Sequence, residues 1–343
     1  MSGIIFRLIL LFAFFIQSST FLDGQENLSL DFKPFVYFIK VDLEDGIYQL
    51  NYEIELQNDE GESIEFSTRS QDQFLEILLG DLYHSEPLKD DLFIFIHGMW
   101  GSRKMVFRNT IDELLEAYVK PPDSPIAKVI SIQWPGNEWS YWKNRTKASN
   151  TSEMLADELV KMIRTIQIIN WMNRKLESNI LMMCHSMGNY LFEQMVQSME
   201  NNEFRYPLLQ ELILAAPDLD GAAFAEGKKL RKINMLSERV HVYFNRKDLT
   251  LKVSKDLNDI RRMGLTGPNI NTRPVPGIFF VDVTDVNDDF KFSARLSKHF
   301  YYRTSPLVTK DMLEVLKRSH ISSFDQRTMS NRPDEYLLIS GDD

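Results

Sequence analysis

The sequence predicts an α/β protein: a mostly parallel central sheet flanked by helices, with antiparallel strands ahead of it. Three observations lead there. Short apolar runs recur along the chain, at Leu92–Ile96, Ala127–Gln133, Ile180–Cys184, Leu212–Ala216, Val240–Phe244 and Ile278–Val283. They are continuous rather than alternating, as in parallel strands covered on both faces. Between them apolar residues repeat at helical spacing, which gives βαβ units with right-handed crossovers.

The chain opens with Arg7, an unbroken apolar run from Leu8 to Ile16, and the small polar stretch Gln17-Ser18-Ser19-Thr20. That order is a secretory signal over residues 1–20, cleaved near residue 20. The run is too short for a stable span, so the expected location is secreted or periplasmic, with an uncleaved N-terminal anchor as the competing reading. One domain over residues 30–325 follows, and 326–343 reads as a C-terminal tail.

Residues 35–68 carry strand-like segments: Phe35–Ile39, Ile47–Ile54 and Ser63–Thr68, separated by the turns Glu44-Asp45-Gly46 and Asn58-Asp59-Glu60-Gly61. The parallel core spans 91–318. Within it, Asn150 with Glu153 reads as the start of a helix through Leu155, Leu159, Ile163 and Ile166. Leu191, Phe192, Met195 and Met199 form a second stripe, and Met312–Leu316 a last helix. The interval between Ala216 and Phe244 is short, so little or no cap domain is expected.

Composition excludes several classes. With 49 acidic against 39 basic residues, the net charge of −10 argues against nucleic-acid binding. One cysteine cannot build a disulfide framework, and the six histidines form no paired ligand cluster, so a zinc site is not expected. Asn27, Asn144 and Asn150 sit in Asn-x-Ser/Thr triplets, which matter only in a eukaryotic secretory route.

The segment Ile180-Leu181-Met182-Met183-Cys184-His185-Ser186-Met187-Gly188-Asn189 is a buried strand, a tight turn and a helix start. A serine at that junction is a nucleophile elbow, its hydroxyl set at the N-terminus of the next helix. The glycine-bearing loop after Leu92–Ile96 can supply a backbone N–H from Met99, which with the N–H of Met187 would make an oxyanion hole. His97 reads as a turn-stabilising residue.

A serine needs a base, and the base a carboxylate, in the chain order Ser, acid, His. The strand Val240–Phe244 ends in Asn245-Arg246-Lys247-Asp248, which makes Asp248 the expected acid; Asp218, after Leu212–Ala216, is the rival. His84, His97 and His185 precede the serine, and His241 lies inside a strand. His299, just ahead of the last helix, is preferred to His320 beyond it. Three of five tryptophans, Trp134, Trp139 and Trp142, fall in one loop. Trp139 and Trp142 either line the substrate entrance or pack the loop onto the body.

His97-Gly98, Trp134-Pro135, His185–Asn189, Ala215-Ala216-Pro217-Asp218, the Asp248…Leu251…Ser254 loop and Arg262-Met263-Gly264 followed by His299 resemble the α/β-hydrolase superfamily. More narrowly, the set is similar to a branch of little-characterised bacterial esterase/lipase-like serine hydrolases. The likeness covers Asp91 to Leu316; Cys184 departs from it, standing where the usual motif has glycine. It implies a serine hydrolase acting on an ester-type small molecule or lipid through Ser186, Asp248 and His299, without metal or organic cofactor. The alternatives are a catalytically inactive binding protein of the same fold, and an acyltransferase, thioesterase or amidase using the same triad.

Overall fold

A computed structural model describes residues 33–68, 70–85, 89–172, 178–199, 207–269, 275–289, 291–332 and 334–339. The expected signal segment lies outside them. Eleven strands form one sheet: β1 (Lys33–Glu44), β2 (Ile47–Gln57), β3 (Ser63–Ser67), β4 (Asp91–Ile96), β5 (Ile126–Gln133), β6 (Ile180–His185), β7 (Leu209–Ala215), β8 (Ser237–Phe244), β9 (Ile278–Asp282), β10 (Arg327–Met329) and β11 (Glu335–Leu338). Their order is β10-β11-β9-β8-β7-β6-β4-β5-β1-β2-β3. Every neighbouring pair from β11 to β1 is parallel. β2 and β3 fold back antiparallel at one edge and β10 at the other.

The continuous apolar runs follow from two-sided burial. Leu92, Ile94 and Ile96 of β4 belong to one core, under helices α1 (Gln71–Tyr83), α3 (Tyr141–Met172) and α4 (Met187–Met199). Phe93 and Phe95 belong to the other, with α2 (Lys104–Leu114), α8 (Tyr301–Thr304) and α9 (Pro306–Leu316). Successive strand residues point to opposite faces, so a strand buried on both must be apolar throughout. Three further helices, α5 (Leu249–Asn258), α6 (Met263–Thr266) and α7 (Phe292–Ser297), follow β8 and β9. Between β7 and β8 lies one short 3₁₀ helix, Lys229–Met235, and nothing large enough to be a cap domain. No helix among the described residues is long and apolar enough to cross a membrane.

Two expectations need correction. Asn150 does not begin a helix: α3 starts at Tyr141, with Ser140 Oγ accepting from the Lys143 amide. The acid-free stretch from Trp139 to Ser152 hid nine helical residues, because their apolar spacing is interrupted by Asn144 and Ala148, both buried. The described part of 326–343 is not a plain tail. β11 extends the parallel sheet beside β9, and buried Arg327 donates to Asp311 at 2.7 and 2.8 Å. Strands of three and four residues leave too short a pattern to read alone.

The chain passes from β4 to β5 on one side, then returns so that β6 lies on β4's other side. Beyond β4 it leads into α2 on one face, and beyond β6 into α4 on the opposite face. That reversal opens a crevice at the carboxyl ends of β4 and β6. Gly98 and Ser186 lie at its two sides.

Candidate active site

Ser186 stands between β6 and α4 with φ of +54°, a left-handed conformation that a residue with a side chain adopts only when its surroundings impose it. Asn189, fully buried, imposes it. Its amide Nδ2 donates to the carbonyls of Cys184 and Ser186 at 3.1 Å and of Ala215 at 3.2 Å. Gly188 is required by contact: a Cβ there would lie 2.5 Å from the His97 carbonyl oxygen. Gly98 is required likewise, since its Cβ would meet that of Ser186 at 2.8 Å. Cys184 is buried in the apolar core with Ile180 and Met182, so its side chain occupies core space rather than obstructing the turn.

His299 and Asp248 meet in the folded protein. His299 Nδ1 lies 2.6 Å from Asp248 Oδ2, and both residues are buried. Asp248 is also the N-cap of α5, its other oxygen accepting from the Leu251 amide at 2.9 Å. His299 follows α7 through Lys298, a left-handed residue that turns the chain inward. His185, next to Ser186, holds this turn: its ring lies 4.7 Å from that of His299, and its Nε2 donates to the His299 carbonyl at 3.2 Å. A carbonyl only accepts, which fixes that nitrogen as the protonated one. Burial pushes the His185 pKa well below the usual histidine range, so its ring is neutral. The Ser186 hydroxyl makes no hydrogen bond among the described residues. Serine–histidine bonds commonly close only with substrate in place.

The other expected residues sort themselves. Met99 follows β4 in the loop beside Ser186, and Met187 opens α4; neither amide donates to a backbone acceptor among the described residues. Asp218 does not reach His299. It accepts from Tyr141 Oη at 2.9 Å and Ser254 Oγ at 2.5 Å, and pairs with Arg262 Nε at 3.3 Å, all within the protein. His97 is structural. Its Nδ1 donates to the Gly98 carbonyl at 2.7 Å, its Nε2 accepts from the Trp134 amide at 3.3 Å, and the two rings stack. Burial pushes its pKa down to about 4. The tryptophans divide: Trp134 is buried, whereas Trp139 and Trp142 are 81% and 54% exposed. Asn144 of the second glycosylation triplet is fully buried and bonded to the Glu138 backbone, so no glycan reaches it. No cluster of metal-ligating side chains occurs among the described residues.

Sequence reasoning missed His185 and the Tyr141–Asp218–Ser254–Arg262 cluster as supports. The signal for His185 was its place directly before the serine. Asp218, Ser254 and Arg262 stood in the motifs quoted for the resemblance, but that they meet one another and Tyr141 shows only in the folded molecule.

A parallel sheet with a strained serine after a central strand, a buried Asp–His pair and a glycine loop across the crevice defines an α/β hydrolase. The sequence belongs to one family of that class: residues 84–317 match the family described as alpha/beta hydrolase of unknown function (DUF900). Among curated proteins, none matches the chain. Solved structures with some likeness include the Pyrococcus furiosus esterase Pf2001, at 12% identity and a TM-score of 0.35 over 85% of this chain and 94% of that one. Carboxyl esterase 2 from Tuber melanosporum has 13% identity and a TM-score of 0.36, over 86% and 89%. Phospholipase PlaB from Legionella pneumophila has 14% identity and a TM-score of 0.32, over 68% and 61%.

Proposed function

We propose that the protein is a serine hydrolase of carboxylic esters, working through an acyl-enzyme on Ser186. The observation that supports it most is the buried Asp248–His299 pair beside the strained Ser186 turn. His299 Nε2 takes the Ser186 proton as Oγ attacks the ester carbonyl carbon, while Asp248 stabilises the imidazolium. The Met99 and Met187 amides hold the oxyanion. The imidazolium then protonates the departing alkoxide, and the C–O bond to it breaks. Water repeats the sequence: His299 takes its proton, hydroxide attacks the acyl carbon, and Ser186 leaves with the proton returned. No step requires a cofactor.

The experiment is hydrolysis of p-nitrophenyl esters of rising chain length, with Ser186→Ala as control, and fluorophosphonate labelling in parallel. Turnover and labelling that both vanish in Ser186→Ala support the reading. A folded protein that neither turns over esters nor labels at Ser186 overturns it and leaves a binding protein of the same fold. Product formed on an added alcohol in preference to water makes it an acyltransferase instead.

The apolar run Leu8–Ile16 supports export, with the enzyme acting outside the cytoplasm. N-terminal sequencing of the protein from its native source tests this. A mature chain beginning near residue 21 agrees; an intact Met1 opposes it.

A further inference from the structure

One peptide group lies between the Ser186 turn and the segment that carries His299. The Ala215 carbonyl and the Ala216 N–H belong to the same planar unit, and a trans peptide directs them to opposite sides. On one side the carbonyl accepts from the Ser186 amide at 3.1 Å and from Asn189 Nδ2 at 3.2 Å. On the other the N–H donates to Tyr301 Oη at 2.9 Å. The same hydroxyl donates to the Tyr243 carbonyl of β8 at 2.8 Å. A phenol can accept and donate at once, which suits this place. Burial raises the Tyr301 pKa well above the ordinary tyrosine range, and the Asp248 charge adds to that, so the proton stays on the oxygen.

The sheet does not need this hydroxyl. The Ala216 N–H also donates directly to the Tyr243 carbonyl at 3.1 Å, which closes the end of β7 on β8 without Tyr301. The segment after His299 does need a tie. Helix α8, Tyr301–Thr304, is a single turn, too short to be stable by its own hydrogen bonds. His299, two residues earlier, is held by its ring to Asp248 and by its carbonyl to His185. Tyr301 fastens the turn behind it to the sheet. The peptide group it grips is itself fixed. Ala216 has φ of +44°, a left-handed conformation that persists in a residue with a side chain only where its neighbours impose it. Gly264 packs so closely on it that an added Cβ would lie 2.5 Å from the Ala216 carbonyl carbon.

We propose that Tyr301 is the positioning residue of the base: through the Ala215–Ala216 peptide group, its hydroxyl sets His299 at a fixed station relative to the Ser186 turn. Its effect on rate rests on the esterase reading, whereas its hold on the His299–Asp248 pair does not.

The test compares Tyr301→Phe with Tyr37→Phe. Each removes a buried phenol hydroxyl and keeps the ring, but Tyr37 bonds Asp81 from β1, three strands away from β6. Two quantities are measured: steady-state hydrolysis of a soluble p-nitrophenyl ester, and the downfield proton NMR signal of the His299 Nδ1–H held by Asp248. Tyr301→Phe should lower kcat about 10- to 100-fold with KM within about twofold, because a displaced base harms the transition state alone. Its downfield signal should shift or vanish. Tyr37→Phe should keep both kcat and signal. A merely stabilising hydroxyl would leave kcat and signal unchanged in Tyr301→Phe, which overturns the proposal. Equal losses in the two variants overturn it too, since they mark general loosening. Should Tyr301→Phe unfold, the spectra are taken with trimethylamine N-oxide, which favours the folded state. If the unaltered chain hydrolyses no ester, the esterase reading fails and the signal alone decides: lost in Tyr301→Phe it upholds the tether, kept it refutes it. A signal absent from the unaltered chain also overturns the proposal, because there is then no held pair to position.

Discussion

Asp248 serves His299 with one carboxylate oxygen, at 2.6 Å, and caps helix α5 with the other, at 2.9 Å. The two duties separate by substitution. Asp248→Asn keeps an oxygen for the Leu251 amide but removes the charge opposite the imidazole, so kcat on a soluble ester falls by roughly 10⁴ with little change in melting temperature. Asp248→Ala loses the cap as well, a further ~1 kcal/mol of stability. Kinetics and thermal melts of both variants check this; full activity in Asp248→Asn would place the acid elsewhere.

Asp218, the rival acid, is expected to matter for stability instead. Its carboxylate is the counter-charge of Arg262, and both side chains are almost wholly buried. Asp218→Asn leaves that guanidinium uncompensated and should destabilise the fold by about 3–5 kcal/mol. The double variant Asp218→Leu, Arg262→Met should recover most of the loss. Denaturant unfolding of the two variants decides it, and a double variant as unstable as the single one would refute the pairing.

The two glycines of the crevice should fail differently. At Gly188 an added Cβ meets the carbonyls of His97 and Ile96 at 2.5 and 2.8 Å. Those are backbone atoms that cannot step aside, so Gly188→Ala should lose about 1–3 kcal/mol. At Gly98 the neighbour is the Ser186 side chain itself. Gly98→Ala should therefore displace the Ser186 side chain and, on the proposed mechanism, lower kcat by about 10²-fold, with the smaller effect on melting. Equal losses of activity and stability in both variants would contradict the contact geometry.

Acid should unfold the protein partly through His97. Burial lowers its pKa from the ordinary 6.5 to about 4. Above pH 6.5 the ring is neutral folded or unfolded, and stability is complete. Between pH 6.5 and 4 the unfolded chain takes up a proton that the folded one refuses, and about 3 kcal/mol is lost across that window. Below pH 4 both forms are charged and the loss stops growing. His185 and His241, also pushed down by burial, add to the slope. Unfolding free energies at pH 7 and pH 5 should differ less in His97→Gln than in the unaltered chain, and an identical difference would remove His97 from the account.

What the sequence made legible was whatever depends on periodicity or on chain order. The six apolar runs all became parallel strands, because two-sided burial leaves a continuous pattern. Ser186, Asp248 and His299 were expected from chain order, and they come in the chain after β6, β8 and β9. The start of α3 was not legible: Asn144 and Ala148 are buried, and neither announces it by hydrophobicity. Arg327 fell in the stretch read as a C-terminal tail, and its side chain is buried against Asp311, 16 residues earlier. Long-range polar pairs of this kind leave no local trace.

Cys184 is the chain's sole thiol, wholly buried in β6 two residues before Ser186. Burial also raises its pKa well above the ordinary range, so little thiolate is present at neutral pH. A thiol reagent can therefore react only during excursions that part β6 from its cover. The protein carries a single-site clock at the base of the Ser186 turn, and the speed of alkylation measures how often that strand breathes.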